Sequence, residues 1–150
     1  MCRLTLALIF LAFTLAFTTT ANAQEPEQKG VGAVDEQPES LQSRMLGVWV
    51  LSGKPGAEIE PKPGARLKFF ALGHWAITEC DSETGKVIYH HGGTYTLEGD
   101  KYTEKLTYAS KSSETMIGSE FKFKISVENG KYTQIGDGNP FDEVWSRPAE

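Results

Sequence analysis

The chain has 150 residues, 39% hydrophobic and 11% aromatic, and sets 15 Lys and Arg against 20 Asp and Glu for a formal charge of −5. No Lys/Arg-rich block tracks along it, which argues against nucleic acid or an anionic membrane surface as partner. Of its two cysteines, Cys2 lies within an N-terminal leader and only Cys80 beyond it, so no intramolecular disulfide is available to the mature chain.

That leader is residues 1–23. Arg3 supplies the positive start, Leu4 to Phe17 the apolar run, and Ala21-Asn22-Ala23 the small-x-small cleavage pattern of a secretory signal peptide. The apolar run is too short for a stable membrane span, and polar residues follow it directly. Cleavage near Ala23 predicts a secreted or periplasmic protein that begins at Gln24 and, having lost Arg3 and no acid, carries a charge of −6 rather than −5. Residues 24–40 are rich in Gln, Glu, Gly and Pro and read as a flexible linker that cannot bury enough surface to order itself. Residues 41–150 form one domain, expected to be monomeric, whose stability must come from its core.

Beyond the linker, period-two alternation dominates, with a possible helical turn or two at Ser40 to Met45 and near Lys111 to Gly118. Strands are expected at Gly47–Ser52, Ala65–Ala71, His74–Glu79, Lys86–His90, Gly93–Leu97, Tyr102–Tyr108, Phe121–Val127, Tyr132–Ile135 and Phe141–Arg147. Asn129-Gly130 is the strongest hairpin signal, because a two-residue type I′ turn needs φ > 0 at both positions. Gly99-Asp100 and the longer Asp81–Gly85 loop are further turns. Eight to ten short strands joined in sequence favour an all-β, antiparallel up-and-down barrel, since closure removes the sheet edges; a two-sheet sandwich is the alternative. In Gly47-Val48-Trp49 the glycine admits a tightly coiled strand, and the tryptophan can plug one end of a barrel.

Counting by twos places Trp49, Leu67, Phe69, Trp75, Ile77, Val87, Tyr89, Tyr95, Tyr102, Glu104, Leu106, Tyr108, Phe121, Phe123, Tyr132, Gln134, Glu143, Trp145 and Arg147 on one face. Lys68, Thr78, Lys105, Lys122 and Lys124 fall on the other. From this phase a ligand cavity is expected between Trp75, Tyr89, Tyr102, Glu104, Tyr108, Phe121, Phe123 and Trp145, with apolar walls and a few groups able to orient a ligand. A core filled by its own side chains has the same pattern.

From about Leu46 to Arg147 the chain resembles the small secreted bacterial lipocalin-like domains of unknown function. The matching stretches are Leu46–Ser52, Phe69–Trp75, Asp81–Val87, Gly92–Glu104 and Glu143–Arg147. The resemblance implies a calycin-type barrel in which Gly47 opens the first strand and Trp49 packs beneath Arg147 of the last. It carries no chemistry, and the chain lacks the disulfide pair and the clear C-terminal helix of secreted animal lipocalins.

Glu104 stands out among polar residues, since a carboxylate on the apolar face must be paired or have its pKa raised. It is either tied to Arg147 or to tyrosine hydroxyls, or it orients a ligand or works as an acid or base. His90 and His91, adjacent in a strand, point to opposite faces and cannot jointly grip a metal inside. No catalytic triad, phosphate loop, zinc spacing or axial histidine for haem in the C-terminal third is found, Asp137–Glu143 lacks the alternating ligands of a calcium loop, and no His or Arg near Cys80 in sequence activates it as a nucleophile. No cofactor, metal or catalytic residue is therefore expected. Three functions remain: a secreted barrel binding a small apolar or amphipathic molecule, a filled structural or interaction module, and a barrel isomerase or cyclase using Glu104.

Overall fold

The computed structural model describes residues 38–148. The expected signal peptide and the expected linker as far as residue 37 lie outside the described residues. The fold begins at Ser40, whose Oγ accepts from the Ser43 N–H at 3.1 Å and caps the single helical turn α1 (Leu41–Met45).

Nine strands follow: β1 (Gly47–Lys54), β2 (Ala57–Glu58), β3 (Leu67–Ala71), β4 (His74–Cys80), β5 (Val87–Glu98), β6 (Lys101–Ala109), β7 (Glu120–Glu128), β8 (Lys131–Asp137) and β9 (Glu143–Ser146). A 3₁₀ segment, Lys111–Met116, bridges β6 and β7. The short β2 turns back and pairs antiparallel with the end of β1, Gly53 with Glu58 and Lys54 with Ala57. The other eight strands pair antiparallel in chain order, and β9 returns to β1 through Val50–Ser146 and Leu51–Trp145 to close an up-and-down barrel. This is the expected all-β architecture, and the sandwich alternative does not apply. Asn129 (φ 50°) and Gly130 (φ 72°) make the tight β7–β8 turn from Glu128 to Lys131. Among the described residues no helix is long and apolar enough to cross a membrane.

The structure corrects three sequence assignments. The expected strands Lys86–His90 and Gly93–Leu97 are one strand, β5, running through Gly92 and Gly93. These glycines do not break the strand; they admit close neighbours. A Cβ on Gly93 would overlap the Lys105 carbonyl, and one on Gly92 would overlap the Tyr108 ring and the Trp75 carbonyl.

β3 faces the opposite way from expectation. Its two-residue connection to β4, Leu72-Gly73, pairs Ala71 with His74, and so sets Phe70 opposite Trp75 and Lys68 opposite Ile77. Lys68 and Phe70 therefore point inward, and Phe69 is exposed.

The third correction is in β6. Its register against β5 shifts between Gly92–Tyr108 and Gly93–Leu106, leaving Thr107 as an extra residue. This bulge turns Tyr108 outward, where it lies against His90 (ring centroids 5.6 Å apart) and is 44% exposed.

Strand alternation defines two barrel ends. At the lower end, α1 and the turns at Leu72-Gly73, Gly99-Asp100 and Asn129-Gly130 gather; at the upper end lie the connections 55–66, 81–86, 110–119 and 138–142. Fully buried Trp49 fills the lower end and donates its indole N–H to the Met45 carbonyl at 2.7 Å. The Arg147 guanidinium lies 3.8 Å from the Trp49 ring centroid and donates to the carbonyls of Leu46 (2.9 Å), Val48 (3.3 Å) and Arg44 (2.9 Å). Gly47, at φ 103°, leaves room for that guanidinium, because a Cβ there would come 2.8 Å from Arg147 NH1. Replacing Trp49 by Ala is expected to cost about 3–5 kcal/mol of stability, measured by urea unfolding; an unchanged midpoint would show that the ring does not carry the lower core.

Candidate functional site

The interior is built around a buried ion pair between non-adjacent strands. Lys68 of β3 is fully buried, and its Nζ lies 2.5 Å from Glu104 Oε1 of β6. The same ammonium donates to Gln134 Oε1 of β8 at 2.7 Å. Six aromatic rings surround it, those of Phe70, Trp75, Tyr102, Phe123, Tyr132 and Trp145, with centroids 5.2–5.9 Å from Nζ. Tyr102 donates its hydroxyl to Glu104 Oε1 at 2.8 Å, and Tyr132 donates to Gln134 Oε1 at 3.1 Å. Burial, reinforced by the negative charge of Glu104, pushes both phenols well above the usual tyrosine range, so they stay protonated donors.

Toward the upper end the network continues. Gln134 donates its amide to Glu143 Oε2 at 2.9 Å. Arg66 bonds Glu79 Oε2 through Nε (2.9 Å) and NH2 (2.8 Å), while its NH1 stays 3.9 Å from Glu143 Oε1. Its guanidinium also lies 5.0 Å from the centre of the Tyr89 ring. Burial raises the pKa of Glu143, with Lys68 and Arg66 opposing the rise. His91 is buried with its Nδ1 unpartnered and its Nε2 3.4 Å from the Tyr89 hydroxyl. Burial, followed by the charges of Arg66 and Lys68, pushes its pKa down to about 4, so the ring is neutral at pH 7.

Above the ion pair is a cavity of about 60 Å³, the liquid volume of about two waters. Its floor is Glu104 and Gln134, its walls are Trp75, Ile77, Phe121 and Phe123, and its upper rim is Arg66, Tyr89, His91, Glu143, Met116 and Phe141. Met116 comes from the 3₁₀ segment and Phe141 from the β8–β9 connection, where it meets Phe121 edge-on at 5.5 Å.

Of the eight residues expected to line a cavity, Trp75, Tyr89, Glu104, Phe121 and Phe123 do so. Tyr102 and Trp145 are fully buried around the Lys68 ammonium below it. Tyr108 is on the outer face, removed by the Thr107 bulge. Glu104 is paired with Lys68 rather than with Arg147, which is at the lower end. Sequence reasoning missed Lys68, Arg66, Gln134, His91 and Glu143 as parts of the site. Adding the Leu72-Gly73 turn to the inward phase of Trp75 would have put Lys68 inside. His90 and His91 point to opposite faces, as expected: His91 is the inward one, and His90 points outward with its Nδ1 2.7 Å from Thr78 Oγ1.

No family model matches the chain, and no match was found among curated proteins. Among solved structures it is similar to a lipocalin-like protein from Bacteroides uniformis ATCC 8492, with 16% identity and a TM-score of 0.51 over 69% of this chain and 98% of that one. It is also similar to an uncharacterized protein from Bacteroides eggerthii DSM 20697, with 16% identity and a TM-score of 0.50 over the same shares. The closed eight-strand barrel and these likenesses define a lipocalin-like fold; at this identity they speak for the fold alone.

Two outcomes follow from the site. Lys68→Met, which leaves Glu104 buried and unpaired, is expected to cost about 3–5 kcal/mol, while Lys68→Met combined with Glu104→Leu costs less than the sum of the two single changes. Urea unfolding of the three variants measures this, and additive losses would show that the pair is not coupled. For His91, a folded pKa of about 4 against about 6.5 unfolded means the unfolded chain binds the extra proton first. Stability from His91 is therefore present above pH 6.5 and lost as pH falls toward 4. In NMR its ring protons should titrate near pH 4, and His91→Gln should lose less stability between pH 7 and pH 5 than the unmodified chain. A His91 midpoint near 6.5 would contradict the burial argument.

Proposed function

We propose that this chain is an exported binding barrel whose upper cavity takes a small amphipathic molecule, or the terminal group of a longer one. The observation that carries the reading is the mixed lining of that cavity. Apolar walls from Trp75, Ile77, Phe121 and Phe123 face a polar floor and rim made of Glu104, Gln134, Arg66, His91 and Glu143. A volume of about 60 Å³ sets the scale, so anything larger than a short head or tail extends past Met116 and Phe141. Large planar or polycyclic ligands do not fit the cavity.

A filled module is the second reading, favoured by the small volume and by the Lys68 side chain occupying the middle of the barrel. An isomerase or cyclase using Glu104 has less support, because that carboxylate is already held by Lys68 and Tyr102.

Titration of the labelled protein with n-hexanol, followed by amide and indole NMR shifts, separates binding from filling. The binding reading predicts saturable shifts concentrated at Trp75, Ile77, His91 and Phe121, with small shifts at the lower end around Trp49. Absence of saturable shifts, together with no small molecule recovered by mass spectrometry from protein purified from its native source, would leave the filled module standing.

A further inference from the structure

The charges around the upper cavity do not cancel. Arg66 is taken up by Glu79, with two bonds of 2.9 and 2.8 Å to one oxygen. Lys68 is taken up by Glu104 at 2.5 Å. Glu143 is the carboxylate left over. Its Oε2 receives the neutral Gln134 amide N–H, the neutral Trp145 side chain also bears on the carboxylate, and its Oε1 has the nearest cationic nitrogen, from Arg66, no closer than 3.9 Å. Its side chain is only 16% exposed, and a carboxylate so placed favours a cation that completes its coordination. His91 does not supply one, because it is neutral.

The surroundings suit a cation in a second way. Trp75, Tyr89, Phe121, Phe123 and Phe141 line the same cavity as Glu143, and aromatic faces attract ammonium groups. The protein already shows what this interior accommodates, since the Lys68 ammonium lies among six rings with one carboxylate and one amide oxygen as its acceptors. The upper cavity repeats those ingredients with the ammonium missing. Three carboxylates against two basic side chains leave one negative charge, which disfavours a carboxylate or phosphate ligand.

Resting on the binding reading given above, we infer that the upper cavity selects a primary ammonium group, with Glu143 as counter-ion, aromatic side chains as walls, and the ligand's alkyl part leaving between Met116 and Phe141. The ligand class is thus a small amphipathic amine.

Three probes with one alkyl chain test this on the full chain at neutral pH: n-hexylammonium, n-hexanol and hexanoate, with affinities from NMR titration or calorimetry. The inference predicts that the ammonium binds about tenfold more tightly than the alcohol, and that hexanoate binds most weakly. Glu143→Gln, which keeps an oxygen acceptor for Gln134, should remove the ammonium's advantage over the alcohol, so that the two affinities converge. In the unmodified protein the Glu143 side-chain carboxyl ¹³C resonance should move with the ammonium and not with the alcohol, a readout that needs no variant to fold. Equal affinities, or tighter binding of hexanoate, would overturn the ammonium assignment while leaving a binding barrel. An ammonium preference that survives in Glu143→Gln with an unmoved Glu143 resonance would overturn the role of Glu143. Failure of all three probes to bind would overturn the binding reading and this inference with it.

Discussion

The buried pair of Lys68 and Glu104 is the constraint around which the interior is arranged. An ammonium or a carboxylate alone at that depth would carry a large desolvation penalty, so neither can stay inside without the other. Their contact spans the barrel from β3 to β6, and the further bond to Gln134 brings in β8. Each tyrosine hydroxyl of this layer donates into an oxygen that also accepts from Lys68, Tyr102 into Glu104 Oε1 and Tyr132 into Gln134 Oε1. The six rings then pack against an ammonium that is electrostatically suited to their faces.

This layer divides the barrel into two functional zones. Below it the space is filled: Phe70, Tyr95 and Trp49 stack toward the lower end, and Arg147 covers the Trp49 ring from outside. Above it the side chains change character to Arg66, Tyr89, His91 and Glu143, and a small cavity opens among them. The Lys68 chain thus limits how deep any ligand can go, and Glu104, facing both zones, forms the floor of the upper one. This upper space is narrow and mixed in its lining. It differs from a wide apolar calyx.

Much of the fold was legible because its signals are local. Asn129-Gly130, the Gly47-Val48-Trp49 start and the run of alternating segments each specify their structure within a few residues, and together they lead to the closed barrel. The errors arose where a neighbouring strand decides the outcome. Phe69 and Phe70 are adjacent and both apolar, so hydrophobicity alone leaves the phase of β3 open, and a lysine at 68 favours the wrong choice. The register set through Leu72-Gly73 opposite Trp75 and Ile77 decides it. Gly92 and Gly93 look like a break, yet they are where Tyr108, Trp75 and Lys105 approach the β5 backbone. The Thr107 bulge that moves Tyr108 to the outer face has no local sequence signature at all. Trp75, Tyr89, Glu104, Phe121 and Phe123 were therefore readable from alternation; Gln134 and Glu143 were readable as inward-facing but not as site members, and they meet Lys68, Arg66 and His91, from β3, its flank and β5, only through closure.

The measurement that bears most directly on this account is ¹⁵N NMR of the lysine side chains. If Lys68 is held as described, its ammonium gives a resolved, exchange-protected resonance at neutral pH, shifted by the surrounding rings and responsive to Glu104→Gln. A Lys68 ammonium that exchanges as fast as the exposed lysines and ignores Glu104→Gln would contradict the buried pair and the organisation of the barrel that follows from it.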